Sequence, residues 1–158
     1  MVPLWMKLFK LPLKNITENW QAWCGLAVGA ALMWGGMSWQ KDGSLAKNWD
    51  KYGQAINWKV NGIPRGAIIR INHKADCNLE SSNHVTFSDG DCAASDLLKA
   101  GATFNGYGGN QSNTWKVSTF PASHICAVRW PPERPLPNKV LKSKNCTSGS
   151  NNNNESTR

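Results

Sequence analysis

Hydrophobic and polar positions divide this chain into stretches of different period. From Asn19 to Gln40 no charged residue occurs, and tryptophans stand near both ends of the run, Trp20 and Trp23 at one and Trp34 and Trp39 at the other. At about 1.5 Å of rise per residue a helix over residues 20–40 covers the hydrocarbon core of a bilayer. Tryptophan favours the headgroup level, where its ring is half apolar and its N–H stays wet. The pattern therefore predicts one transmembrane helix over 20–40. Ahead of it, Leu4, Trp5, Leu8 and Phe9 alternate with Lys7, Lys10 and Lys14, as in a basic amphipathic tail (residues 1–19) lying at the membrane interface.

After the run, Leu45, Trp49, Tyr52 and Ile56 recur at helical spacing and predict an amphipathic juxtamembrane helix within 41–54. The period then shortens. Residues 55–60, 67–72, 84–88, 103–107, 114–120 and 124–130 read as strands, separated by turn residues such as Asn61-Gly62. Residues 91–99 read as a short helix that Gly101 stops. Residues 55–130 are thus expected to form a β-rich antiparallel domain lying in the periplasm or outside the cell. Four prolines impose an extended path on residues 131–137, within a segment 131–147 tied back by a disulfide, and the Asn-rich tail 148–158 lacks the apolar content to fold. The predicted fold class is α+β: an N-terminal membrane helix, then a small disulfide-stabilised antiparallel sheet with one or two short helices.

Cysteine usage decides the compartment. Cys24 lies in the apolar run and behaves there as a small hydrophobe. Cys77, Cys92, Cys126 and Cys146 all lie beyond it, an even set that predicts two disulfides and an oxidising environment. Three pairings are conceivable, and sequence proximity favours Cys77–Cys92 with Cys126–Cys146. A four-cysteine zinc site is disfavoured because no Cys-x-x-Cys pair is present. Lysines near the two ends of the run nearly balance, so orientation follows the cysteines: N-terminus in the cytoplasm, domain in the periplasm. That layout is a signal-anchor, single-pass in the bacterial inner membrane, retained rather than cleaved near Gly36-Met37-Ser38. Gly25 and Gly29 form a Gly-x-x-x-Gly pair, a packing face through which the helix would homo-oligomerise in the membrane.

Charge adds less. The chain carries a net +8, and the residues after Gln40 contribute fifteen Lys and Arg against nine Asp and Glu. The excess is scattered and no nucleic-acid motif accompanies it, which argues against nucleic acid as partner. His73, His84 and His124 are distant in sequence and define no metal pattern. Asp89, Asp91 and Asp96 surround Gly90 without the closing Glu of a calcium loop. No catalytic set, metal site or cofactor is predicted. The expected function is a non-catalytic envelope component: an interaction or assembly module of a secretion, conjugation, pilus or phage-encoded envelope system, with the lipid bilayer and envelope proteins as partners. One alternative is a membrane-anchored envelope hydrolase using Asp89 and Asp91. Another inverts the topology and sets a basic cytoplasmic domain against nucleic acid or acidic lipid.

Overall fold

The computed structural model describes residues 23–109 and 114–146. Within the described residues the first helix, α1, covers Trp23–Trp34, 12 residues. At about 1.5 Å per residue that is about 18 Å, short of the roughly 30 Å a bilayer core requires. Its stop is encoded locally. Gly36, with φ +82°, occupies the left-handed position after the helix. The Met37 N–H then reaches the Leu32 carbonyl at 2.8 Å and the Gly36 N–H reaches Met33 at 3.1 Å. This is a Schellman cap, completed by apolar contact between the two flanking positions, and Leu32 and Met37 are both buried.

The apolar run belongs to a protein core. Cys24, Ala27, Val28, Ala31 and Leu32 are all buried, and α1 packs against a strand of the sheet. Among the described residues no helix is long and apolar enough to cross a membrane. That finding overturns the transmembrane helix over 20–40 and the single-pass inner-membrane placement that followed from it. Residues 1–19 of the expected tail, with Lys7, Lys10 and Lys14, lie outside the described residues, as does Trp20. The expected α+β class is corrected as well: the architecture is a six-stranded antiparallel sheet with few helices.

The juxtamembrane helix is replaced by a 3-10 turn over Ala46–Lys51. Of its periodic residues Trp49 and Tyr52 are buried while Leu45 is 65% exposed, and Trp49 donates Nε1–H to the Gly43 carbonyl at 2.8 Å. Next come β1 (Gln54–Ala55) and α2 (Trp58–Asn61), so the strand expected over 55–60 is mostly a single helical turn. The sheet continues with β2 (Ile68–Asn72), β3 (Asn83–Ser88), α3 (Ala94–Leu97), β4 (Thr103–Gly108), β5 (Lys116–Pro121) and β6 (Ile125–Trp130). Five of these strands fall within two residues of the stretches whose alternation or β-branched content announced them.

Strand order is β1-β6-β2-β3-β4-β5, all neighbours antiparallel. That order forces curvature. β5 and β6 run in the same direction and lie four strand spacings apart, about 19 Å in a flat sheet. Only Ala122–His124, a 3-10 turn, joins them. Three residues span at most about 15 Å between the flanking Cα atoms, and a flat sheet would also demand a return along a whole strand. The ladder therefore curls until the end of β5 meets the start of β6. The register places Ile69, Ile71, His84, Thr86, Phe104, Phe120 and Val128 on one face, which the curl turns inward. Phe104 and Phe120 meet there at 5.5 Å between ring centroids.

The other face of β2 and β3 carries Ile68, Arg70, Val85 and Phe87, and α1 with the 46–51 turn packs over it. Arg70 is 3% exposed, a costly place for a charge unless it is paired and fully hydrogen-bonded. Asp50 accepts from its Nε at 2.9 Å and from a second guanidinium nitrogen at 2.5 Å, while Asn83 Oδ1 accepts at 3.0 Å. The Cys77 carbonyl accepts as well, at 3.3 Å. One buried guanidinium thus ties the 46–51 turn to the sheet and to the loop after β2.

Candidate binding cleft

Both disulfides form, from the four cysteines anticipated, but with different partners. Cys77 pairs with Cys126 and Cys92 with Cys146, which corrects the expected Cys77–Cys92 and Cys126–Cys146. The reason is the curl. β6 returns beside β2, so the loop after β2 meets the start of β6 across 49 residues of chain. The C-terminal segment in turn runs back past α3, where Asp91 and Lys144 pair backbone to backbone.

These crosslinks brace a cleft of 710 Å³. One wall is α2 with Trp58 and Lys59. A second is α3 and the turn after it, with Leu98 and Lys99. The third is the β5–β6 corner, with Pro121 and Ser123. Each wall is anchored. The end of α2 is held because Ile63 and Cys92 exchange backbone hydrogen bonds of 2.8 Å and the Val140 N–H reaches the Asn61 carbonyl at 2.9 Å. At α3, Ser143 Oγ accepts from the Ala93 N–H at 2.9 Å and donates to Asp96 Oδ2 at 2.5 Å. The Ser143 and Lys99 hydrogen bonds hold the Asp96 carboxyl below its ordinary pKa. The corner is held by the Cys77–Cys126 disulfide and by the Ala122 N–H on the Ala102 carbonyl at 2.9 Å.

The lining is apolar and aromatic with two ammonium groups. It includes no carboxylate, imidazole or free thiol; Cys126, the one cysteine in it, is disulfide-bonded. Lys59 Nζ sits 5.6 Å from the centre of the Trp58 ring, within cation–π range. Lys99 contacts Asp96 at 3.1 Å, but its side chain is 54% exposed, so the pair is solvent-screened. Such a surface can bind and orient a ligand; its side chains offer no acid–base pair.

The residues singled out from sequence are distributed elsewhere. Gly25 and Gly29 face their own chain rather than a second helix. A Cβ on Gly25 would stand 1.8 Å from the Gly43 carbonyl oxygen, and one on Gly29 would stand 2.8 Å from the Trp39 ring. The Gly-x-x-x-Gly pair thus admits the returning 39–43 segment. Trp23 opens α1, and Trp34 and Trp39 lie on the surface at 64% and 38% exposure.

Asp89 and Asp91 both serve Arg65. Asp89 pairs with its guanidinium at 3.2 Å and Asp91 accepts its backbone N–H at 2.8 Å. Burial nonetheless pushes the Asp89 carboxyl up, against the Arg65 charge. The histidines do converge. His73 and His84 lie 5.9 Å apart between centroids, with His84 stacked on Phe120 at 5.5 Å. Burial, then the charges of His84 and His124, hold the His73 imidazole below its ordinary pKa. Among the described residues no three His, Cys, Asp or Glu groups are placed to hold a metal ion.

Sequence reading passed over the cleft itself. The pattern at 55–60 predicts a strand through Trp58 and Lys59, whereas Asn57 before them and Gly62 after them bracket a helical turn. Comparison with known protein families, curated proteins and solved structures finds no match for this chain.

Proposed function

We propose that this protein is a non-catalytic interaction module of an oxidising compartment, a component of an envelope assembly that holds a protein partner in the cleft between α2, α3 and the β5–β6 corner. The observation carrying this reading is the bracing. The Cys77–Cys126 disulfide reaches the cleft lining, and the Cys92–Cys146 disulfide and the Ser143–Asp96 clamp fix the segments behind α3, so little ordering remains to be done when a partner binds. An apolar, aromatic lining with a few polar groups at its margin supports binding. The disulfides support an extracytoplasmic, oxidising setting.

The test is site-specific photocrosslinking in intact cells, with the crosslinker placed at Ser123 inside the cleft or at Lys51 outside it. A discrete protein adduct from position 123, absent from position 51 and lost on Leu98→Asp, is the expected result. Equal adducts from both positions, or none from position 123, refute the proposal.

A further inference from the structure

We infer that the partner presents an acidic, extended segment to this cleft, carboxylates flanking an apolar side chain. The inference rests on the cleft being the binding site and adds the chemistry of what enters it. Lys59 and Lys99 stand on two different walls, and the lining itself holds no Asp or Glu, Lys99 pairing only with Asp96 just outside it. The same lining carries Trp58, Pro121 and Leu98, the last 56% exposed, a surface suited to an apolar side chain.

Each ammonium has donors to spare. Lys99 spends one contact on Asp96, whose carboxylate Ser143 also holds, so Lys99 can turn to a ligand without leaving Asp96 unpartnered. Lys59 Nζ lies 5.6 Å from the centre of the Trp58 ring, a cation–π contact that leaves ammonium donors for a ligand oxygen. A carboxylate arriving at either lysine forms a charge-assisted hydrogen bond.

Charge also decides against a second copy as occupant. The chain carries +8, so two copies repel, and the same excess draws an acidic partner from a distance. Nor do residues 147–158 supply the segment: they contain a single carboxylate side chain, Glu155, balanced by Arg158.

The experiment uses the full chain with its disulfides intact and three fluorescein-labelled peptides read by anisotropy: a Glu-Pro-Leu repeat and its Gln-for-Glu and Lys-for-Glu counterparts. The acidic peptide should bind at least about tenfold more tightly than the neutral one, and raising salt to about 0.3 M should erase most of that difference. Lys59→Glu with Lys99→Glu should cost about tenfold in affinity for the acidic peptide. The charge-matched control Lys41→Glu with Lys74→Glu, both outside the cleft, should cost less than about twofold.

Equal binding of acidic and neutral peptides overturns the inference, as does an equal loss in the control, or no binding of the acidic peptide at about 1 mM. If the neutral peptide binds as well as the acidic one and Leu98→Asp abolishes both, the cleft stands as the site and only its charge preference fails. If Leu98→Asp changes neither, the cleft reading fails too.

Discussion

Replacing Leu32 by alanine asks directly whether the uncharged run is a core element. Leu32 is fully buried, lies on α1 against the sheet, and forms the inner half of the Schellman cap with Met37. Truncation removes three carbons from a packed site that relaxes only in part, so the loss is about 3 to 4 kcal/mol, within the range of buried Leu→Ala changes. A domain of this size is stable by about 5 to 15 kcal/mol, so the change consumes a large fraction of the total. At roughly 3 °C per kcal/mol the melting temperature should fall by about 10 °C. Trp34 is the internal control: it belongs to the same run but is 64% exposed, and Trp34→Ala should cost under about 0.5 kcal/mol. Urea unfolding followed by circular dichroism measures both. Should Leu32→Ala leave no folded protein, Leu32→Val, with its smaller deletion, gives the same comparison at about 1 kcal/mol. A run that faced lipid would show no such contrast. Leu32→Ala within about 1 kcal/mol of the parent, or Trp34→Ala equally costly, refutes the assignment.

Two further outcomes follow from the crosslinks and the histidines. Non-reducing proteolytic mapping should recover fragments joined through Cys77–Cys126 and Cys92–Cys146, and removing the first pair together (both to alanine) should cost about 4 kcal/mol, the loop-closure value for a separation of 49 residues; recovery of a Cys77–Cys92 fragment would sink the curled topology. For His73 the folded pKa lies below that of the unfolded chain, so between the two values the unfolded state binds more protons. Stability should therefore be full above about pH 6.5 and decline as the pH falls from there toward the folded value. The carboxyls whose pKa values folding lowers, Glu80, Asp96 and Glu133, lose their contribution at lower pH, so unfolding midpoints at about pH 7.5 and 5.5 report on His73. His73→Gln should flatten that slope; an unchanged slope, or a gain of stability on acidification, contradicts the reasoning.

Much of the sheet was legible because its signal is local. The Ile-rich run at 67–72 becomes a strand buried on both faces. The alternation of Trp115, Val117 and Thr119 with Lys116 and Ser118 marks β5 but points to the wrong face, since Phe120 is buried and Val117 is 42% exposed. The apolar run was misread for a physical reason: hydropathy measures the wish to leave water and does not say whether lipid or protein receives the side chain. The deciding residues were Gly35 and Gly36, a helix stop too early for a bilayer, and the Gly25–Gly29 spacing, which fits a neighbouring segment of the same chain as well as a second helix. The disulfide pairing was not legible at all, because sequence proximity is the wrong metric once β6 pairs with β2. The same curl explains why the cleft escaped notice. Its walls come from two four-residue helices and a three-residue corner, each too short to show a period, and they meet only because the β5–β6 connection forbids a flat sheet. Topology, more than any motif, places Lys59 and Lys99 around one apolar floor, so the charge-reversal experiment tests the fold's geometry as directly as it tests the partner's chemistry.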